Sequence, residues 1–199
     1  METKIGFIGL GEMGFPMANR LIKAGYPLIV FDIVKEPLLS LQAAGAQIAN
    51  TAKEVAQKTD RVIIMVRTTA QAERVISGEN GVLEGATRGS IILLMSTIDP
   101  IASKKLAEMA KEKGIDLVDA PVSGAKQGAE AGTLTIMVGG EEEIFKKCRP
   151  IFEALGKNIF YLGENGMGES AKLINNLLLL VNMSAGYEAM ALALSLIHI

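Results

Sequence analysis

Lys4-Ile5-Gly6-Phe7-Ile8-Gly9-Leu10-Gly11-Glu12-Met13-Gly14 passes from an apolar run through three spaced glycines into a segment of helical period. A strand that ends in Gly-x-Gly-x-x-Gly and opens a helix is the setting of a dinucleotide fingerprint. Gly9 permits the tight turn, Gly11 lets a pyrophosphate approach the backbone, and Gly14 lets helix and strand pack closely. The helix start offers N–H groups and a positive dipole end to phosphate, worth about 0.3–2 kcal/mol per favourable charge contact. Taken alone, the same residues also read as an ordinary glycine turn between a strand and a helix.

Beyond that turn, short apolar runs alternate with helical segments, the mark of βαβ units and a parallel sheet. Strands are expected at residues 4–9, 28–32, 61–66, 90–95 and 116–118, and helices at 14–24, 36–44, 70–76 and 102–113. Gly25, Gly45 and Gly114 stand just past these helices, where a left-handed residue closes the last turn. Strands that are apolar throughout fit a sheet covered by helices on both faces. A further strand is expected at 133–138, a charged helix at 141–155 and a short strand at 158–161, before Gly163-Glu164-Asn165-Gly166 interrupts the chain. The expected fold is α/β: a Rossmann-type, doubly wound, mostly parallel sheet, followed by the start of a long helix of an all-helical second domain. The dinucleotide-binding domain would occupy residues 1–163 and the long helix residues 164–199.

Bulk properties narrow the function. The chain has 199 residues, 49% of them hydrophobic, enough for a substantial core. Its net charge of −2, from 20 basic and 22 acidic residues dispersed along the chain, argues against nucleic acid as a partner. One cysteine, Cys148, forms no intrachain disulfide, and no Cys/His cluster has metal-ligand spacing, so no metal is expected. No signal or transit peptide is read at the start, which makes the cytoplasm the expected compartment. Residues 173–197 are apolar enough to imitate a membrane span. Asn175, Asn176, Asn182, Ser184 and Glu188 argue against one, and a helix buried between domains or subunits fits the same composition.

Asp32 ends the second expected strand, 18 residues beyond Gly14, where a carboxylate can accept hydrogen bonds from both ribose hydroxyls. A 2′-phosphate would meet that negative charge, so NAD is favoured over NADP. Lys35 and Lys53 are placed to blunt the repulsion, and an aspartate capping the next helix is an alternative reading.

Hydride transfer from an alcohol needs a group that takes the hydroxyl proton. The only histidine is His198, the penultimate residue. A Tyr-x-x-x-Lys pair is absent, because Tyr26, Tyr161 and Tyr187 are followed at the fourth position by Val30, Asn165 and Ala191. Lysine remains. In Gly166-x-Gly168-x-x-x-Lys172-x-x-x-Asn176 the four-residue spacing puts an amine and an amide on one helix face, although such a pair also suits a solvated surface. To act as a base, Lys172 needs its pKa lowered from about 10.4 towards 7–8, through burial or a neighbouring positive charge.

Four stretches in this order resemble the β-hydroxyacid dehydrogenase family, which includes 3-hydroxyisobutyrate dehydrogenase and tartronate semialdehyde reductase. They are Gly6-Phe7-Ile8-Gly9-Leu10-Gly11-x-Met13-Gly14-x-Pro16-Met17; Met95-Ser96-Thr97-Ile98; Asp119-Ala120-Pro121-Val122-Ser123-Gly124, with Gly128, Gly132-Thr133-Leu134 and Gly139-Gly140 behind it; and the helix of Lys172 and Asn176. The resemblance implies Lys172 as general acid/base, Ser123, Gly124, Asn176 and Thr97 at a small carboxylated substrate, and Thr97 between substrate and cofactor. Cofactor contacts are expected from Gly9, Leu10, Gly11, Glu12, Met13, Gly14, Asp32, Val66 and Thr97. The implied reaction passes a hydride between NAD(H) and a small 3-hydroxyacid or its semialdehyde.

Two departures stand out: Ala125 occupies a position where the family usually has a second glycine, and Arg67 replaces a proline common after the fourth strand. The related 6-phosphogluconate dehydrogenase branch has histidine immediately before its asparagine, whereas Asn175 precedes Asn176 here, which argues against a sugar phosphate substrate. The resemblance also implies a sizeable helical domain and a homo-oligomer formed through the long helix, so the expectation is a C-terminally truncated chain. Residues 195–199 are compatible with a foreign tail. The alternative to an active enzyme is a dinucleotide-binding fragment without turnover.

Overall fold

Residues 3–197 are described in the computed structural model of the chain, and His198 lies outside them. The apolar tetrapeptide Ile5–Ile8 forms β1, and the glycine turn leads into α1 (Gly14–Lys23). The chain continues through β2 (Leu28–Phe31), α2 (Lys35–Ala43), β3 (Gln47–Ile48), α3 (Ala52–Lys58), β4 (Arg61–Ile64), α4 (Thr69–Ser77), α5 (Val82–Gly85), β5 (Ile91–Leu94), α6 (Pro100–Glu112) and β6 (Asp116–Asp119). These six strands form one parallel sheet in the order β3-β2-β1-β4-β5-β6, the doubly wound arrangement in which the strand order reverses beside β1.

Alternation along the strands feeds a core on each face. Phe7, Val30, Ile63 and Leu93 pack with Met17 and Leu21 of α1 on one side, while Ile8, Val62, Ile64, Ile92 and Leu94 pack with Val55 of α3 and Leu106 of α6 on the other. Gly25, Gly45 and Gly114 take positive φ beyond their helices, as expected.

The expected strands are present; most are shorter at their ends, while those expected at 116–118 and 158–161 extend to Asp116–Asp119 and Gly156–Tyr161. The helix at 52–58 is an addition. Its start carries a capping box, with Thr51 Oγ1 accepting the Glu54 N–H at 3.0 Å and Glu54 Oε2 accepting the Asn50 N–H at 2.7 Å.

The chain after β6 departs further from expectation. Val122–Ser123 forms β7, Ala125–Ala131 forms α7, Leu134–Val138 forms β8, Glu142–Leu155 forms α8 and Gly156–Tyr161 forms β9. Strands β7, β8 and β9 make a separate three-stranded sheet, with β7 antiparallel and β9 parallel to β8. The isolated bridge Asp119↔Gly139 joins the two sheets. Ser123 therefore ends the short strand β7, directly before Gly124.

The last element, α9 (Met167–Leu196), is a single helix of 30 residues. Only Gly168, Glu169 and Lys172 of it are buried, and its remaining turns are exposed, with Leu177 through Leu180 each more than half accessible. By length and composition α9 is long and apolar enough to cross a membrane.

Candidate active site

The glycine turn sits at the C-terminal end of β1, next to the point where the strand order reverses. Gly9 has φ +93°, and a side chain on it would strike the Met65 carbonyl oxygen; one on Gly14 would strike the carbonyl oxygen of Gly9. At Gly11 a side chain would meet nothing within 4 Å. Two of the glycines are thus required by packing, and the third leaves open space above a helix start that no side chain caps. That is the shape and polarity a pyrophosphate needs.

Asp32 stands against this turn. Its Oδ2 accepts the Leu10 N–H at 2.5 Å and its Oδ1 accepts the Val34 N–H at 2.8 Å. It does not cap α2, whose N-cap is Val34 without a side-chain bond. Each oxygen keeps a lone pair for a further donor. Lys53 is engaged elsewhere, 3.1 Å from Glu84. Val66, just past β4, donates its N–H to Ser96 Oγ at 2.8 Å, and Arg67 is exposed, its N–H bonded to Gln71 Oε1 at 2.9 Å.

A cleft of about 540 Å³ opens beside the turn and is lined by Met13, Thr97, Ser123, Gly124, Lys172 and Asn176, with Met65, Val122, Ala125 and Leu179. Residues spread over more than 160 positions thus meet at one place. Gly9, Leu10, Gly11, Glu12, Gly14, Asp32 and Val66 are not among its lining residues; they frame the neighbouring ends of β1, β2 and β4. Asn175 Nδ2 lies 3.5 Å from Ser123 Oγ, a long contact that ties α9 to β7. Ala125 adopts φ +52°, so an alanine takes up a left-handed conformation that glycine holds without cost.

Two buried acids meet at the start of α9: Asp119, which opens the third of the family stretches, and Glu169, which carries no sequence signature of its own. Asp119, fully buried at the end of β6, accepts the N–H of Gly166 at 2.7 Å and of Glu169 at 3.0 Å. It caps α9 from outside the helix, where the N-cap residue Gly166 has no side chain to do so. Glu169, also fully buried, accepts the Ile98 N–H on Oε2 at 3.1 Å. Burial pushes its carboxyl up to about 8, against the lowering pull of that N–H and of Lys172. Burial likewise draws the Lys172 amine below the ordinary lysine range, opposed by the charge of Glu169. Lys172 is 7% exposed.

A family model described as the NAD binding domain of 6-phosphogluconate dehydrogenase matches residues 4–163. Mitochondrial 3-hydroxyisobutyrate dehydrogenase of Mus musculus is 45% identical over 193 residues, 97% of this chain and 58% of the relative. The chain belongs to the β-hydroxyacid dehydrogenase family. A second family member, NAD-dependent L-serine dehydrogenase of Pseudomonas aeruginosa, is 47% identical over 192 residues, 96% of this chain and 64% of the relative. The solved structure of Mycobacterium tuberculosis 3-hydroxyisobutyrate dehydrogenase with L-serine matches with a TM-score of 0.91 at 35% identity, covering 98% of this chain and 66% of that one. The chain spans less than two thirds of the length of the curated relatives it matches. The domain matched is a nicotinamide dinucleotide-binding one, and the open face at Gly11 fits such a ligand.

Proposed function

We propose that this chain is the dinucleotide-binding part of an NAD-dependent oxidoreductase acting on small 3-hydroxyacids or the matching semialdehydes. The observation that carries the reading is Lys172, a buried amine of lowered proton affinity in one cleft with Thr97, Ser123, Gly124 and Asn176. Bound NAD supplies the acceptor for a hydride, and NADH its donor. The remaining work falls to side chains. In oxidation the Lys172 amine takes the hydroxyl proton as the C–H hydride leaves; in reduction its ammonium returns that proton to the developing alkoxide. The Ser123 hydroxyl, the N–H groups beside it and the Asn176 amide suit a carboxylate and a hydroxyl. This reading divides the chain at residues 163 and 164, with the site at the junction.

NAD is favoured over NADP because the Asp32 carboxylate stands where a 2′-phosphate would lie, and the two residues after it, Ile33 and Val34, are exposed and uncharged. The names of the two curated relatives, an isobutyrate-type and a serine dehydrogenase, support the substrate class without selecting a member of it.

The test is turnover of NADH with three- and four-carbon carboxylated semialdehydes, in this chain and in a protein of the relatives' length. Lys172→Ala should abolish the rate while NADH affinity stays; retained turnover rejects the assignment. Tighter binding of NADPH than NADH, unaltered by Asp32→Ala, rejects the cofactor preference.

The exposed leucines of α9 favour a second reading for the chain on its own: it binds NADH and does not turn over, because the cleft stays open among the described residues. We infer that this arm is covered by protein, a further helical segment or a second copy, and not by lipid. Asn182, Ser184 and Glu188 would each be costly against hydrocarbon.

A further inference from the structure

Three charged side chains are buried among the described residues, and all three meet at the start of α9: Asp119, Glu169 and Lys172. Asp119 is accounted for as the cap, and Lys172 by the proposed acid/base role. Glu169 is not. Its Oε2 holds the Ile98 N–H, next to Thr97, but its Oε1 has no hydrogen-bond partner at all. A glutamine would hold Ile98 equally well and would not bring an ionisable group into the interior, so the carboxyl is costly unless its proton matters. Lys172 follows three residues later on the same helix face. With Oε2 on the Ile98 N–H and Oε1 unpartnered, the carboxyl takes no hydrogen bond from Lys172 and senses it through its charge alone.

We propose that Glu169 is the positioning residue for the proton on Lys172: buried one turn away on the same helix face, its carboxyl and the amine titrate as a coupled pair, each setting the proton affinity of the other. When the amine is protonated, the carboxylate near it is favoured; when the amine releases its proton, the carboxyl loses that counter-charge and holds a proton more tightly. The charged groups acting on Glu169 are Asp119 on β6, which disfavours the carboxylate, and Lys172 on α9, which favours it. From α6, Lys104 packs its methylenes beside Gly166, and from β8 the Met137 carbonyl faces Gly168. The functional meaning of this pair rests on the acid/base reading of Lys172, but its existence does not.

The experiment is competitive labelling of Lys172 on the full chain with an amine-reactive acetylating reagent between pH 6 and 10, read by peptide mass spectrometry. No cofactor or substrate is needed, so the result stands whether or not the hydroxyacid reading survives. Removing the carboxylate in Glu169→Gln should lower the Lys172 midpoint by about one pH unit, a roughly tenfold faster labelling below it. An unchanged midpoint in the folded variant overturns the proposal. Should Glu169→Gln fail to fold, the carboxyl is followed in the wild-type sequence and in Lys172→Met by carbon-13 resonance of labelled glutamate. Loss of the ammonium should raise the Glu169 midpoint by a similar amount, and no movement there also overturns the proposal.

Discussion

The carboxylate of Asp119 accepts the N–H of Glu169 at 3.0 Å, and through that bond the last strand of the main sheet sets the first turn of the helix bearing Lys172. Gly166 donates to the same carboxylate at 2.7 Å. Replacing Asp119 by alanine would leave two buried donors without acceptors. A loss of about 2–6 kcal/mol is expected on the scale of about 1–3 kcal/mol per unsatisfied group. Urea denaturation measures it, and a change under about 0.5 kcal/mol would show that α9 does not depend on this cap.

The glycines of the turn should separate by kind. Gly14→Ala drives a side chain into the Gly9 carbonyl and is expected to destabilise the fold by about 1–3 kcal/mol or more. Gly11→Ala meets open space, so its melting should match the parent, while NADH affinity falls by about tenfold or more, equivalent to 1.4 kcal/mol. Paired thermal melts and calorimetric titrations distinguish these outcomes; equal NADH affinity in Gly11→Ala would remove the pyrophosphate from that face.

Ala125 carries a conformation that L side chains disfavour by roughly 1–2 kcal/mol. Ala125→Gly should therefore raise stability, by about 1 kcal/mol after the added chain entropy of glycine. A lowered melting temperature would mean that the methyl group makes packing contacts outweighing the strain.

Glu169 makes stability depend on pH. Its carboxyl titrates near 8 folded against 4.5 in the reference state, so the folded chain binds more protons across that interval. Its contribution is full below about pH 4.5 and is lost as pH rises towards 8. Lys172 acts with the opposite sign at the alkaline end: its folded affinity is lowered, so stability recovers as pH climbs towards the ordinary lysine value of 10.5. Urea midpoints measured from pH 5 to pH 8 should fall in the parent and fall less in Glu169→Gln. Parallel profiles would contradict a buried titrating carboxyl at that position.

Much of the fold was legible because its signals are local. Gly9, Gly11 and Gly14 follow an apolar tetrapeptide directly, and 28–31, 62–64 and 91–94 are short apolar runs of the kind that a doubly covered sheet accommodates. The helix at 52–58 had a signal too, the Thr51-x-x-Glu54 capping box, which is visible without coordinates. Nothing local reveals that 134–138 turns away from the main sheet, because its partners are set by the bridge between Asp119 and Gly139. The same holds in the cleft. The i, i+4 spacing places Lys172 and Asn176 on one face, but the burial of Glu169 depends on Ile98, 71 positions earlier.

Helix α9 is gripped at one end and free over the rest of its length. At 1.5 Å per residue it reaches about 44 Å from Met167 to Leu196, whereas Lys172 lies about 8 Å from the grip. A tilt of about 5° sweeps the far tip through roughly 4 Å and the α-carbon of Lys172 through less than about 1 Å. The amine sits near the fulcrum of a lever. Whatever takes hold of the arm can swing, settle or pull over several ångströms, and the proton-bearing nitrogen scarcely leaves its place.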